Sequence, residues 1–385
     1  MRVTVLLLLS AANLVADPKR GDEGTPEHAK AAALVKQLGD QRFATREAAA
    51  KQLLEMGAPA LPALEAGAKS TDEEVSKRSV ALLPQIKAIV RQQRAEAYGA
   101  DIDGKEKHEL PLLAEWEKVT GKPDASSRKL FAAMVRADAD LLEQVATDPK
   151  AAADAIQSRC RALVGEIQTG HDQKRVEPDR LALLFFANLR APGRTATFGR
   201  ADHPCHLLNN PGVAEGVRAK DIGPAFRRLL TAWIEAQDTD EVAADQYFAF
   251  AVHATPFPEA VPALARMARN PKAPSHHVRA VAIEALGRIG DDRAKAMLAD
   301  LTGNPAVLIS GSRGECRAGD LALANWLVAS GKRPEDYGMS KSSEFRLRVA
   351  QRGPVVSLAV RWFPDGETRD RALEKWKTET AKKDR

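Results

Sequence analysis

The sequence has little of what strands, disulfide frameworks and membrane spans are built from. Aromatic residues make up only 5% of the 385 residues, and the three cysteines form no CxxC pair. Zinc, thioredoxin and c-type haem signatures built on that spacing are therefore excluded, and nothing requires a disulfide framework. No uninterrupted apolar run reaches the ~18 residues that cross a bilayer, which excludes an ordinary polytopic membrane protein.

Motifs of the common enzyme classes are also missing. The sequence contains no GxxxxGKS/T, no GxSxG and no HExxH, so it lacks a nucleotide phosphate loop, a nucleophile elbow and a zincin helix. Its 57 basic and 52 acidic side chains give a net charge of +5, and the two signs are interspersed along the chain. A nucleic-acid-binding protein usually gathers its basic residues into one stripe. We therefore expect no enzyme activity, no cofactor and no nucleic-acid partner.

Alanine, in contrast, is abundant. The chain has 68 alanines, whereas its 25 glycines and 22 prolines are close to ordinary usage. Alanine is the best helix former, and aromatic residues favour strands. The composition therefore predicts an all-α globular protein.

The first residues have the pattern of a signal peptide. Arg2 gives a short basic start, residues 3–9 form a continuous apolar run, and small residues follow. This order is typical of an exported protein, with cleavage after Ala12 or Ala16. We predict that residues 1–16 are a leader, that the protein is exported to the periplasm or cell envelope, and that no transmembrane segment remains after leader removal.

One pattern occurs twice, 233 residues apart. Residues 46–57 read REAAAKQLLEMG and residues 279–290 read RAVAIEALGRIG, so Leu53 corresponds to Leu286. In both copies small residues occupy the middle of a predicted helix, and a glycine ends it. A unit that buries its apolar face against neighbouring copies of itself is the mark of a solenoid. We expect both leucines to be buried in helical hairpins.

The second copy, residues 278–291, resembles a HEAT repeat of the short bacterial type. The downstream positions that fit this repeat are Ala294, Leu298, Leu301 and Pro305. Residues 43–57 resemble another repeat, which is continued by Glu74, Val75 and Arg78. Residues 317–331 resemble a degenerate third copy. HEAT proteins are scaffolds and binding platforms, so the resemblance supplies no catalytic residue.

The resemblance implies a HEAT-like solenoid of helical hairpins with an irregular helical middle region. The predicted order is HEAT-like repeats over 17–100, a helical middle region over 101–238 with a long loop at 191–216, HEAT-like repeats over 239–338, and an extension with a terminal helix over 339–385. The loop prediction depends on the glycines and prolines between 191 and 216, which are typical of irregular connections.

The most concentrated group of potential metal ligands is His203, Cys205 and His206, inside that loop. Two imidazoles and a thiolate can bind zinc, but a tetrahedral site needs a fourth ligand, and no second cluster is nearby. An ordinary polar loop is the favoured interpretation. His276 and His277 diverge by about 100° on a helix, so they do not easily share one metal. The sequence therefore assigns no catalytic, cofactor-binding or metal-binding residue.

Arg46 and Arg279 occupy equivalent positions in the two copies. An arginine there can bind an external anion, but in a HEAT-like hairpin it more often bonds carboxylates or carbonyls of the adjacent repeat. We favour this structural role.

The function expected from the sequence is binding or scaffolding without catalysis, through a solenoid surface that contacts a protein partner in the cell envelope. One alternative is a metal-dependent hydrolase that uses His203, Cys205 and His206. The other is a nucleic-acid-binding solenoid, which needs its basic residues on one continuous surface. The loop at 191–216, with the helix near 224–236, is either a partner contact or an insertion that nothing touches, because loop length alone does not distinguish them.

Overall fold

The computed structural model describes residues 26–121, 123–169, 175–192, 202–237, 242–271, 276–311, 314–348 and 355–381. The leader predicted over residues 1–16 lies outside them. The described part is mainly helical, which confirms the all-α prediction. None of its helices is both long enough and apolar enough to cross a membrane. The chain divides into two compact units, residues 1–90 and residues 91–385.

The described helices are α1 (Pro26–Gln37), α2 (Phe43–Met56), α3 (Leu61–Gly67), α4 (Glu73–Ala100), α5 (Leu113–Thr120), α6 (Ala125–Thr147), α7 (Pro149–Thr169), α8 (Pro178–Arg190), α9 (Pro211–Arg218), α10 (Gly223–Glu235), α11 (Val242–Ala254), α12 (Val261–Arg269), α13 (His276–Ile289), α14 (Asp292–Leu301), α15 (Ala318–Ala329) and α16 (Gly366–Ala381). The described strands are β1 (Val307–Gly311), β2 (Gly314–Arg317), β3 (Ser343–Arg348) and β4 (Val355–Val360).

The two copies of the repeated pattern have the same local structure. Leu53 in α2 and Leu286 in α13 are both fully buried. Each helix ends at a glycine in the left-handed region, Gly57 with φ of 65° and Gly290 with φ of 64°. Their N–H groups donate to the carbonyl oxygens of Leu53 and Leu286, at 3.4 and 3.0 Å. Glycine adopts such a φ without the steric penalty of a Cβ, so it suits this helix end. The predicted repeat is confirmed.

The paired arginines bond to backbone carbonyls, as the structural interpretation predicts. Arg46 donates to the carbonyl oxygens of Asp40 and Gln41, at 2.8 and 3.1 Å. Arg279 is buried and donates from Nε to the carbonyl oxygen of Ala268 at 3.1 Å. Burial lowers the pKa of Arg279. In both copies the arginine therefore ties its helix to the preceding segment of the chain.

The middle region packs around a cluster of aromatic rings. Trp116 of α5 meets Phe186 of α8 edge-on, with ring centroids 5.4 Å apart. Phe185 meets Trp233 of α10 in the same way at 5.1 Å, and the indole N–H of Trp233 donates to Asn188 at 2.9 Å. Edge-to-face contacts and a satisfied indole N–H are what buried aromatic residues favour. Several of the chain's few aromatic residues are thus concentrated where α5, α8 and α10 meet.

The long loop predicted over 191–216 extends too far, because α9 begins inside it. Pro211 occupies the first turn of α9, and the Asn210 side chain caps the helix by accepting the N–H of Gly212 at 3.0 Å. A Cβ on Gly212 would lie 1.9 Å from the carbonyl oxygen of Val176. Proline and glycine act here as a helix start and a close contact, although in sequence both are typical of irregular connections.

Two small antiparallel hairpins follow HEAT-like helices in the described part of the chain, where the composition predicts helices alone. Strands β1 and β2 connect α14 to α15, and β3 pairs with β4 so that Phe345 faces Leu358. Along β4 the burial alternates, with Leu358 and Val360 fully buried. Glu284 of α13 accepts the backbone N–H of Ala359 at 2.7 Å. The hairpin of β3 and β4 therefore packs against the repeat helices.

A buried ion pair attaches α16 to α15. Arg369 donates to both carboxylate oxygens of Asp320, at 2.8 and 3.1 Å, and only 4% of Asp320 is exposed. The same carboxylate accepts the N–H of Arg317 at 3.1 Å and so caps α15. The hydrogen bond to Asp320 raises the pKa of Arg369.

Candidate functional site

The three candidate metal ligands lie in a buried turn. His203 and Cys205 are buried, and residues 204–207 form one turn of 3-10 helix. His203 starts this turn, because its Nδ1 accepts the N–H of Cys205 at 3.3 Å. The ring of His206 packs edge-on against Tyr247, with centroids 5.0 Å apart. The side chains of His203 and His206 therefore each have a contact inside the fold, and Cys205 is bound there through its backbone N–H.

The structure does not bring His203, Cys205 and His206 together as a metal site. Within the described ranges, no group of three or more His, Cys, Asp or Glu side chains has an arrangement that could hold a metal ion. Burial lowers the pKa of His203 to about 4, with the neighbouring His206 acting in the same direction. His203 is thus a neutral capping group at physiological pH. The metal-dependent hydrolase has no support in this geometry.

Replacing His203 with asparagine should make the free energy of unfolding less dependent on pH between pH 7.5 and 5. An asparagine oxygen can accept the Cys205 N–H as Nδ1 does, but it does not titrate. The folded pKa of His203 is about 4, against 6.5 for an unperturbed histidine. The unfolded chain therefore binds more protons below pH 6.5, and stability is lost as the pH falls from 6.5 towards 4. Between pH 7.5 and 5 the wild type should lose about 2 kcal/mol more than His203→Asn.

Urea unfolding followed by tryptophan fluorescence at several pH values checks this expectation. Other groups titrate over the same range, so the deciding quantity is the difference between the two proteins at each pH. Parallel profiles would show that His203 is not the group that couples folding to protonation here.

A polar cleft lies in the described part of the 91–385 unit, and we call it the charged cleft. Its volume is about 590 Å³. It is formed by the end of α4, by α6, by the start of α8 and by the segment from α9 to α10. The side chains that line it are Glu96, Gly99, Ala100, Lys129, Ala132, Ala133, Arg136, Glu177, Pro178, Asp179, Glu215, Ala219, Asp221 and Ile222.

Small residues belong to the lining of the charged cleft. A Cβ on Gly99 would lie 3.0 Å from the Cβ of Ala132, so α4 and α6 approach closely at this point. Ala133 and Ala219 add no bulk to the lining. The lining therefore combines charged side chains with small residues that leave room for another chain.

The charged cleft is lined by side chains of both charge signs. Lys129 and Arg136 lie seven residues apart, which places them on one face of α6. Neither side chain makes a hydrogen bond or ion pair to another described residue. The remaining charged side chains of the lining are five carboxylates: Glu96, Glu177, Asp179, Glu215 and Asp221.

Part of this negative charge is already compensated. Arg175, outside the lining, bonds Glu177 at 3.1 Å and Glu215 at 2.8 Å. Five carboxylates thus face three cationic groups, which leaves an excess of two negative charges. Such a lining favours a cationic ligand and repels phosphate groups.

The comparisons with known proteins concern the helices that follow the charged cleft. A family model of HEAT repeats matches residues 229–309, which include α11 to α14. The chain contains HEAT repeats. The copy carried by residues 278–291 lies inside these HEAT repeats. No curated protein matches the chain.

One solved structure is similar to the chain. It is the structure of human deoxyhypusine hydroxylase in complex with glycerol, which is 12% identical. The match covers 79% of this chain and 96% of that chain, with a TM-score of 0.20.

The expectation that the chain is a scaffold without enzyme activity is wrong. It was drawn from the missing enzyme motifs and from the resemblance to HEAT proteins, but the similar solved structure is that of an enzyme, a hydroxylase by name. At this TM-score the likeness assigns no reaction and no residue to this chain.

Proposed function

We propose that the chain binds a protein partner, and that the charged cleft takes a segment of that partner rich in lysine and arginine. HEAT repeats commonly mediate protein interaction, and repeat arrays offer extended binding surfaces. The observation that carries the proposal is the excess of carboxylates in the lining, which occurs in a chain whose net charge is +5. Binding of this kind is compatible with a reaction on the bound segment.

The charges in the cleft support the proposal that its ligand is a peptide segment. Asp179 and Asp221 line the cleft and make no ion pair to a described residue, so they can bind cationic side chains. Lys129 and Arg136 belong to the same lining. At 0.1 M ionic strength the Debye length is about 10 Å, so charges within the cleft act together on a bound segment.

Reversing single charges in the cleft should change the affinity for a basic peptide in opposite directions. The probe is a fluorescein-labelled twelve-residue peptide of alternating lysine and alanine, followed by fluorescence anisotropy. Asp221→Lys should weaken binding roughly two- to tenfold, because it turns an attraction into a repulsion. Lys129→Glu should strengthen binding by a similar factor, and both effects should shrink at high salt.

The matched control is Glu235→Lys, at the exposed end of α10 and outside the cleft lining. It changes the net charge of the protein by the same amount as Asp221→Lys, so a general electrostatic effect would appear in both. Equal changes in the two variants would remove the charged cleft from the proposal. A peptide of alternating glutamate and alanine should not compete.

We also propose that the protein is exported. The support is the leader pattern, in which a basic start precedes a short apolar run and small residues. N-terminal sequencing of natively expressed protein should find a start between Asn13 and Asp17. An intact Met1 on cytosolic protein would contradict export.

A further inference from the structure

The hairpin of β3 and β4 has two outer edges, and α13 occupies one of them. In the described part of the chain these two strands form a sheet of their own, so each has an edge that faces away from the other. The edge of β4 is bound to the repeat helices, because the N–H of Ala359 donates to Glu284 at 2.7 Å. The remaining edge belongs to β3.

The direction of the Ala359 N–H also determines which groups of β3 point outward. Ala359 is the cross-strand partner of Glu344. In an antiparallel ladder, pairs that exchange hydrogen bonds alternate with pairs that do not. Since the Ala359 N–H is directed at Glu284, its pair with Glu344 makes no ladder bond, and neither does the pair of Arg346 and Ser357, two positions along. The N–H groups of Glu344 and Arg346 therefore point away from β4, and neither donates to a described residue.

Unpaired N–H and C=O groups on an edge strand form a template for pairing with another chain. Many proteins prevent such pairing with charged side chains, especially lysines, because like charges repel a second copy of the strand. On β3 the two outward-bonding residues have opposite charges. The side chains of Glu344 and Arg346 are 52% and 72% exposed. This pattern does not repel a second copy of β3 in every register.

One antiparallel register places opposite charges of two β3 strands face to face. If Phe345 lies on a two-fold axis, Glu344 of each copy lies opposite Arg346 of the other. Both residues have their N–H and C=O groups on the open edge, so these are the pairs that can exchange ladder bonds. An axis through Glu344 or Arg346 would instead place two like charges opposite each other, which is destabilising.

The same register adds to contacts that already exist within one chain. Arg346 donates to Glu344 of its own strand at 3.2 Å. With the second copy present, four charges of alternating sign share one exposed face, and such a network stabilises more than an isolated exposed pair. Phe345 is partly buried and packs against the core, and its copy lies opposite it in a pair without ladder bonds. Side chains approach most closely in such pairs, and aromatic pairs stabilise a sheet.

We propose that two copies of this chain pair through the open edge of β3, antiparallel and centred on Phe345. The product is a four-stranded sheet in the order β4, β3, β3, β4, with the same surface used by both subunits. The edge shares no residue with the charged cleft, so this inference is independent of the proposed partner binding. A contact made by six-residue strands is small, and we expect a reversible dimer with a dissociation constant in the micromolar range.

Sedimentation equilibrium of the full-length protein measures this dimer. Glu344→Arg and Arg346→Glu should each weaken it at least tenfold, because each turns both cross-strand pairs into pairs of like charge. An equimolar mixture of the two variants should dimerise again. In that mixture one chain carries arginine at both positions and the other carries glutamate, so opposite charges meet in every cross-strand pair.

The matched control is Glu235→Lys, which lies at the exposed end of α10 and outside the hairpin. It changes the net charge by the same amount as Glu344→Arg, so a general electrostatic effect would weaken the dimer in both variants. We expect Glu235→Lys to dimerise as the wild type does.

Hydrogen exchange at low and high protein concentration tests the backbone part of the proposal. The amides of Glu344 and Arg346 should exchange more slowly at high concentration, because pairing covers them. Arg346→Pro removes an outward N–H and leaves the ladder to β4 intact. It should weaken the dimer more than Arg346→Thr, which removes the same charge and retains the N–H. If circular dichroism shows that Arg346→Pro is misfolded, the exchange rates of the wild type decide.

Each contrary outcome overturns a stated part of the proposal. A protein that stays monomeric at about 500 μM would overturn pairing with a second copy and leave the edge to a strand of a different protein. A dimer that the charge variants do not weaken, or that leaves the β3 amides unprotected, would remove this edge from the interface. Two folded variants that fail to dimerise when mixed would contradict the register centred on Phe345.

Discussion

Asp320→Ala should lower the free energy of unfolding by about 3–5 kcal/mol. Asp320 is 4% exposed and accepts two hydrogen bonds from Arg369 and one from the backbone of Arg317. Removing one partner of a buried pair leaves the other charge without compensation, which costs more than the pair contributed. Alanine also removes the cap of α15, so both effects act in the same direction. Urea unfolding followed by tryptophan fluorescence measures the change.

An exposed ion pair on the same helix serves as the control. Arg371 lies 3.9 Å from Glu367 in α16, and their side chains are 70% and 83% exposed. Arg371→Ala should therefore change stability by less than about 0.5 kcal/mol. Adding Arg369→Met to Asp320→Ala should recover part of the loss, because the uncompensated charge is then gone. A loss below about 1 kcal/mol in Asp320→Ala would contradict a tightly buried pair.

Leu286→Ala and Leu53→Ala should each cost about 2–5 kcal/mol of stability. Both side chains are fully buried, so truncation removes burial of the lost atoms and leaves a cavity that close-packed neighbours fill only in part. All five tryptophans lie in the 91–385 unit, so fluorescence reports the Leu286 variant. Helical circular dichroism reports the Leu53 variant.

The control for the leucine variants is a truncation on the exposed side of a helix. Val328 in α15 is 53% exposed, and Val328→Ala should change stability by no more than about 0.5 kcal/mol. Equal effects in Val328→Ala and Leu286→Ala would mean that Leu286 does not occupy a packed core.

The sequence predicts the helical repeats because their signals are local. In α2 and α13 a few small residues, one leucine and a terminal glycine recur at fixed spacing, and each has the same role in both copies. Gly212 shows the limit of such reasoning. Nothing next to it in sequence indicates that the Val176 carbonyl oxygen comes close enough to exclude a Cβ. A glycine that permits a close contact and a glycine that ends a helix therefore look alike in sequence.

The strands are not predicted from the sequence, because buried and exposed residues alternate in them over only a few positions. In β4 the buried residues Val356, Leu358 and Val360 alternate with exposed ones over only six positions. In an alanine-rich chain with a strong helical pattern, an alternation over six positions is too short to indicate a strand. The packing of β4 on α13 is, in addition, a long-range contact that the local sequence does not indicate. The Glu284 bond to Ala359 joins residues 75 positions apart.

The charged cleft could not be predicted for a similar reason. Its charged residues are contributed by separate helices, from Glu96 on α4 to Asp221 before α10. Lys129 and Arg136 share a face of α6, but the sequence alone does not tell which helix that face meets. The packing of the helices determines which charged residues become neighbours, and no local sequence motif indicates that packing.

Helix α9 has a thermodynamic consequence that follows from its position. Val213 and Val217 of α9 line a small apolar cavity between α9, α10 and α11. Glu215 of the same helix belongs to the charged cleft. Any coupling between two ligands that both contact this eight-residue helix must be reciprocal. If a molecule in the cavity shifts α9 and changes the affinity of the cleft by some factor, a segment in the cleft must change the affinity of the cavity by that same factor.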